Sequence, residues 1–319
     1  MDDKRIHAAL HAASDTHHLL VGTGVLNNVG DALEQAFGRQ PIVVVADDTT
    51  YAVAGKTVYE HLRSAGWRVE EPVVFPGTPT LYAVFENVVT LEEKLRATSA
   101  VPIVVGSGTL NDITKLAAHR AGRQYICVST AASMDGYTAF GAAITRDGFK
   151  QTMMCPAPRA VVADLDILAN APAQMSAAGY GDLLGKVTAG ADWILADALE
   201  VEPIEQNVWS LVQDALRNWT GRPQAVHAGD RQAIENLFEG LILSGVAMQM
   251  YHSSRTASGS EHQFSHLWEM QALAHDAAPV SHGFKVGVGS IAIAALYELV
   301  LARDLTRLDS DALCRAWPS

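Results

Sequence analysis

The stretch VPIVVGSGTLND (101–112) decides the fold. Its first six residues are a short apolar, β-branched run, the kind buried on both faces of a parallel sheet. The run passes straight into a glycine-containing turn and then a helical pattern expected to begin near Ile113. Gly106 and Gly108 permit close backbone approach, and the unpaired N–H groups of a following helix start favour an anion. Gly106, Gly108, Thr109, Leu110, Asn111 and Asp112 are therefore candidates for cradling a phosphate group. The loop is not a full GxGxxG, because Asn111 stands where the last glycine would be, and it lacks the GK[ST] of a P-loop. An alternative for the same residues is an ordinary turn needing glycine at positive φ, with Asn111 or Asp112 as N-cap.

Working outward, similar runs occur at 18–22, 41–47, 67–75, 124–129 and 159–164, with helical patterns at 50–66, 80–98 and 109–122. Strands alternating with helices predict βαβ units and a parallel sheet. Beyond Ile167 strand-like runs vanish, and helical segments are expected at 173–200, 204–219, 229–253, 259–274 and 283–304. The expected class is α/β, with a Rossmann-like parallel-sheet domain over 1–168 followed by an all-helical domain over 169–319. Pockets favour interfaces between such halves.

The strand at 41–47 ends in Asp47, followed by Asp48. An acid there can accept hydrogen bonds from both hydroxyls of an adenosine ribose and repels a 2′-phosphate, which favours NAD over NADP. The same acids can instead cap the helix that follows. After the strand at 124–129 come Thr130, Ser133 and Asp135, in a loop whose small residues let a cofactor lie against the backbone. In the second half, Asp182 in GYGD, His262 in SGSEHQFSH and His282 in SHG supply one carboxylate and two imidazoles. That donor set suits a borderline divalent ion with one position left open. Taken singly, Asp182 could merely pair with Lys186 one turn later, and each histidine could be a surface or capped residue. His266 lies four residues after His262, on the same helix face. It is a candidate for ligation, substrate contact or proton relay, or a plain neighbour of Trp268.

Hydrophobic residues make up 49% of the 319-residue chain and charged residues 18%, with a net charge of −12. Such a composition suits a packed globular protein and argues against a nucleic-acid or anionic-membrane partner. Cys127, Cys155 and Cys314 form no CxxC pair, which fits a reducing cytoplasm. The first residues carry charges where a secretory signal would be apolar. GSIAIAALYELVLA (289–302) falls short of the roughly 20 residues of a bilayer span and is expected to be a buried helix.

Together, GSGTLND, TAASMDG, GYGDLLGK, SGSEHQFSHLWE and SHGFKVGVG resemble, in the same order, the sn-glycerol-1-phosphate dehydrogenases, a branch of the iron-containing alcohol and glycerol dehydrogenase superfamily. The resemblance runs from about residue 18 to 300. It implies an NAD(P)H-dependent interconversion of dihydroxyacetone phosphate and sn-glycerol 1-phosphate, in a homo-oligomer such as relatives form. It also implies a divalent metal, zinc in the usual case and nickel or iron in others, on Asp182, His262 and His282. Asp182 would face the substrate too, and His266 and Asp135 would contact it. Gly108 to Asp112 match the pyrophosphate loop and Thr130 to Ser133 a second cofactor stretch. The SMDG wording favours a phosphorylated substrate over the free polyol of glycerol dehydrogenases. A dehydroquinate-synthase-like lyase and a non-catalytic nucleotide-binding remnant are the remaining alternatives. Lys186, Lys285 and Arg255 are candidates for the substrate phosphate. The chain departs from the family at Ala139, where a cofactor-touching serine is frequent and only Thr138 stands nearby. It also reads GSG where many relatives have GGG, which requires a negative φ at Ser107. Family members usually continue past the position of Ser319, so a shortened helical domain is expected.

Overall fold

A computed structural model describes residues 1–274 and 280–316. Six parallel strands form one sheet: β1 (His18–Gly22), β2 (Ile42–Asp47), β3 (Val73–Phe75), β4 (Val101–Gly106), β5 (Ile126–Ser129) and, after a hairpin, β8 (Ala160–Asp164). Their spatial order is β1-β8-β5-β4-β2-β3. Alternate residues serve opposite faces, as the two-residue period of a strand demands. Val43, Val45, Val104 and Cys127 pack on one side, Val44, Ile103, Val105 and Val128 on the other. Pairing of Gly106 with Ser129 aligns the carboxyl ends of β4 and β5. A doubly wound sheet holds its ligands along that rim.

Two local expectations, and the alternative reading of the glycine turn, need correction. The run at 67–75 forms a strand only over Val73–Phe75, preceded by an isolated bridge from Val69 to Ile42; Pro72 between them has no N–H to give to a ladder. The helix after β4, α1 (Gly108–Arg120), starts five residues before Ile113, so Asn111 and Asp112 lie inside it and Ser107 takes the N-cap position. Neither Gly106 nor Gly108 has a positive φ. They are glycine for space: an added Cβ would lie 2.5 Å from Leu110 Cδ1 and 2.7 Å from Met134 Cε respectively. Ser107, at φ −108°, meets the requirement set by GSG.

The sequence reading missed a two-stranded antiparallel hairpin, β6 (Ala142–Arg146) and β7 (Phe149–Met153). Asp147 and Gly148 make its turn with φ of 54° and 78°, the two left-handed positions for which Asp-Gly is suited.

After β8 all described elements are helical. The main ones are α2 (Ala173–Ala198), α3 (Arg231–Tyr251), α4 (Ser260–Ala274) and α5 (His282–Leu301). The expected helix at 204–219 is split into Gln206–Gln213 and Leu216–Thr220. One hydrophobic cluster joins the halves, with Val104, Ile113 and Tyr137 packing in the same core as Leu183, Phe238 and Leu241. Gln249 of α3 also ties the halves, accepting from Asp15 N at 2.9 Å and donating to Thr16 Oγ1 at 3.0 Å.

The expectation of a buried helix near the end holds for one face of α5 only. Gly283, Val286, Gly289 and Ile293 are buried, whereas Ile291, Leu296, Leu299 and Leu301 are 73%, 53%, 67% and 74% exposed. At 20 residues and mean hydropathy 1.7, α5 is also long and apolar enough by composition to cross a bilayer.

Candidate active site

Glycine contacts between α2 and α5 bring two of the candidate ligands together. A Cβ on Gly181 would lie 2.4 Å from Gly283 O, and one on Gly283 would lie 1.8 Å from Ala178 O. Only glycine lets the two backbones touch there. Asp182 follows Gly181 on α2, and His282 precedes Gly283 at the first turn of α5. His262 enters from the first turn of α4. Ligand atoms of Asp182, His262 and His282 lie within 4.8 Å of one another, on the scale of one coordination shell.

The surroundings suit an ion. Glu261 Oε1 lies 2.7 Å from His262 Nδ1, which leaves Nε2, 3.9 Å from Asp182 Oδ1, to face the cluster. Such a carboxylate behind a histidine fixes the tautomer that ligation needs. Glu261 is itself held by Thr188 Oγ1 and Gly259 N, each at 2.7 Å. Burial pushes the Glu261 pKa up, but the His262 hydrogen bond and charge, with those two donors, bring it below the ordinary value. Burial, then the positive fields of His262 and Lys150, hold the His282 pKa well below normal. Its imidazole is thus neutral, the form that binds metal.

A fully buried ammonium completes this centre. Lys186 Nζ lies 2.9 Å from Asp182 Oδ1 and 2.9 Å from Asp135 Oδ2. Burial opposes its charge, yet the two carboxylates outweigh that and raise its pKa. Ser244 Oγ also donates to Asp135 Oδ2 at 2.9 Å, and Asp135 N donates to Asp182 Oδ2 at 3.0 Å. Asp135 thereby fastens the TAASMDG loop to α2. The Asp182–Lys186 pair at one-turn spacing was legible in the sequence. Its third member was not, because Asp135 comes from the other half of the chain.

His266 is half-buried, its ring 6.5 Å from that of His262. Burial, then Lys150 and His262, lower its pKa, with Glu269 opposing. Trp268 packs against Phe264, at 5.6 Å between rings.

The cofactor candidates line the sheet's carboxyl rim. Gly108, Thr109 and Leu110 form the first turn of α1, where helix geometry leaves N–H groups unsatisfied. Asn111 and Asp112 point inward: Asn111 bonds Gly136 O at 3.0 Å and Tyr125 OH at 2.9 Å, and Asp112 accepts from Ala143 N at 3.4 Å. Buried Lys115, on the same helix, bonds the carbonyls of Gly136, Ala139 and Gly141 and braces that loop. Asp47 caps the turn after β2, Oδ1 accepting from Thr50 N at 2.7 Å. Thr130 N donates to Gly106 O at 3.0 Å, and Ser133 Oγ lies 3.0 Å from Tyr137 OH. Thr138, beside Ala139, is buried and its hydroxyl is engaged, donating to Ile242 O at 2.7 Å.

Comparison with known proteins gives these features a setting. Residues 20–172 match the model of the iron-containing alcohol dehydrogenase family. A glycerol-1-phosphate dehydrogenase (NAD(P)+) of Halalkalibacterium halodurans is 37% identical over 289 residues, 90% of this chain and 72% of that one. The protein of the same name from Bacillus velezensis is 37% identical over 282 residues, 88% and 71% of the two chains. In fold, the chain is similar to the crystal structure of glycerol dehydrogenase from Schizosaccharomyces pombe, with a TM-score of 0.67 at 18% identity, covering 89% of this chain and 72% of that one.

Proposed function

The chain belongs to the glycerol-1-phosphate dehydrogenase branch of the iron-containing alcohol dehydrogenases, NAD(P)-dependent oxidoreductases, and from that premise we propose that it interconverts dihydroxyacetone phosphate and sn-glycerol 1-phosphate. The observation that carries the reading is the convergence of Asp182, His262 and His282 under a parallel-sheet rim that ends in a glycine turn and a helix N-terminus. We place the cofactor against Gly106, Gly108, Thr109 and Leu110, with Thr130 and Ser133 beside it. Asp47 is the proposed ribose contact; its cap uses Oδ1 and leaves the other oxygen. Asn111 and Asp112 act there by holding the loop.

A divalent ion on Asp182, His262 and His282, zinc being the proposed identity, would supply Lewis acidity toward the substrate oxygen, and the nicotinamide the hydride. The chain's own side chains do the rest. Lys186 and Asp135 hold the Asp182 carboxylate in place, and Glu261 orients His262. His266 is the proposed proton carrier, because its lowered pKa leaves a neutral imidazole and one helical turn separates it from His262. Asp135 suits a positioning role, since Lys186 and Ser244 both bind its Oδ2. We also infer two domains that meet at this site, a cytoplasmic homo-oligomer, and cysteines that stay reduced.

The test is oxidation of NADH by the zinc-loaded protein with dihydroxyacetone phosphate and, in parallel, dihydroxyacetone, each with a chelator control. Chelator-sensitive turnover that prefers the phosphorylated ketone is expected. Turnover of the free ketone alone would make the protein a glycerol dehydrogenase instead, and silence on both from folded, zinc-bound protein would remove the proposed reaction.

A further inference from the structure

Beside the three candidate ligands lies a group of charges that the chemistry above does not use. Glu269 of α4 receives Lys150 Nζ at 2.9 and 3.0 Å, and its Oε2 lies 3.3 Å from Lys285 Nζ. Lys285 also donates to Val280 O at 3.1 Å. The three side chains are only 17%, 10% and 21% exposed, in the order Lys150, Lys285, Glu269. Among the described residues, two ammonium groups contact this one carboxylate, which leaves a local excess of positive charge in a largely desolvated place.

Its position follows from the elements that carry it. His262, His266 and Glu269 fall at i, i+4 and i+7 on α4, so they lie along one helix face. Glu269 stands about 4.5 Å of helix rise beyond His266 and about 10 Å beyond His262. Lys285 sits on α5 three residues after His282. Lys150 reaches across from β7, which packs on α4. Both lysines help to lower the His266 pKa, after burial, in keeping with the position that the helix spacing gives the cluster. Two other cations have partners elsewhere: Lys186 is engaged by Asp135 and Asp182, and Arg255 by Glu202 at 2.6 Å.

We propose that Lys150 and Lys285, held side by side by Glu269, form the subsite that recognises the phosphate monoester of the substrate. The proposal rests on the phosphorylated-substrate reading above and assigns it a location. A compact, multiply donating ammonium is a standard partner for phosphate oxygens. A dianion arriving between the lysines neutralises the positive excess, while Glu269 keeps both ammonium groups ordered beforehand. The hairpin then has a purpose in the active site, which is to deliver Lys150.

The experiment compares zinc-loaded wild type with Lys150→Met and Lys285→Met, measuring kcat and KM for dihydroxyacetone phosphate and dihydroxyacetone, with inorganic phosphate as inhibitor. Each substitution is expected to lower the ratio of kcat/KM for the phosphorylated ketone to that for the free ketone roughly 10- to 100-fold, the cost of losing one charge-assisted contact. The loss should fall on KM, inhibition by inorganic phosphate should weaken in parallel, and Lys150→Arg should recover part of both. Unchanged ratios with phosphate inhibition intact would overturn the subsite while leaving the reaction standing. If the wild type turned over only the free ketone, the proposed reaction would fail; calorimetric titration with inorganic phosphate would then judge the subsite. Binding abolished by Lys150→Met supports it, and a wild type that binds no phosphate overturns it. Zinc content and circular dichroism establish that each variant is folded, and Lys150→Gln replaces any methionine variant that is not.

Discussion

Gly283→Ala should remove metal binding through a displacement that the helix packing makes calculable. The added Cβ would lie 1.8 Å from Ala178 O, with Ala178 C at 2.5 Å and Ala178 Cα at 3.0 Å. Real Cβ atoms essentially never come closer than 3.0 Å to a neighbour, so α5 must move from α2 by about 1.2 Å. The obstacle is main chain, which no rotamer change relieves. His282 is the adjacent residue and Asp182 stands on the opposing helix, so their separation grows by a similar amount. Metal–ligand distances tolerate only about 0.2 Å, several times less. Loss of an outer partner alone costs roughly 10- to 100-fold in metal affinity, so the expected loss here is roughly 100-fold or more. Overpacking adds about 1–3 kcal/mol of destabilisation. The assay is zinc retained per chain after dialysis against a graded chelator, with thermal unfolding alongside. Gly287→Ala is the control, because its Cβ would meet Gly181 Cα at 3.3 Å and needs only a few tenths of an ångström. A Gly283→Ala protein that holds zinc as tightly as the wild type would refute the reasoning.

Three further outcomes are expected. His266→Ala should retain zinc but lose turnover by roughly 10²- to 10⁴-fold, the usual worth of a positioned acid–base group; loss of zinc with rate would instead make His266 a ligand. Lys186→Met strips the shared counter-charge from Asp135 and Asp182, and removing one partner of a buried pair costs about 3–5 kcal/mol. Chemical denaturation of the zinc-free protein should reveal that loss, and added zinc should recover part of it by replacing the missing positive charge. Glu92 is held by Arg96 Nη2 at 2.7 Å and Arg120 Nε at 2.5 Å. Burial raises its pKa, but the two guanidinium groups more than reverse that and leave it lowered. Its stabilising contribution is therefore fully present above the ordinary glutamate value of 4.5 and is lost as pH falls through the lower folded-state value. Glu92→Gln should cost about 1 kcal/mol near neutral pH, since both arginines are largely exposed. Denaturation midpoints of the two proteins should converge in acid, and a gap that persists there would contradict the assignment.

What could be read from the amino acids alone follows the range over which each signal acts. β4 and the turn after it were legible because a β-branched run and its glycines are local facts. The hairpin carried the Asp147-Gly148 turn signal, but its second strand lacks the buried apolar face that marks a half-buried pair: Phe149, Gln151 and Thr152 are exposed. Without the hairpin, Lys150 had no evident route to His266. Lys186 read as an ordinary one-turn partner of Asp182, because Asp135 meets it only after the sheet and helices have packed. The candidate ligand set was grouped by its donor chemistry and by the resemblance of its motifs, and the residues beside the ligands give its convergence a physical cause. Gly181 precedes Asp182 and Gly283 follows His282, and these two glycines are the points where α2 and α5 touch main chain to main chain. A side chain at either would hold the helices too far apart for a carboxylate and an imidazole to share one ion. The motifs GYGD and SHG thus each record a donor together with the packing that brings it to its partner.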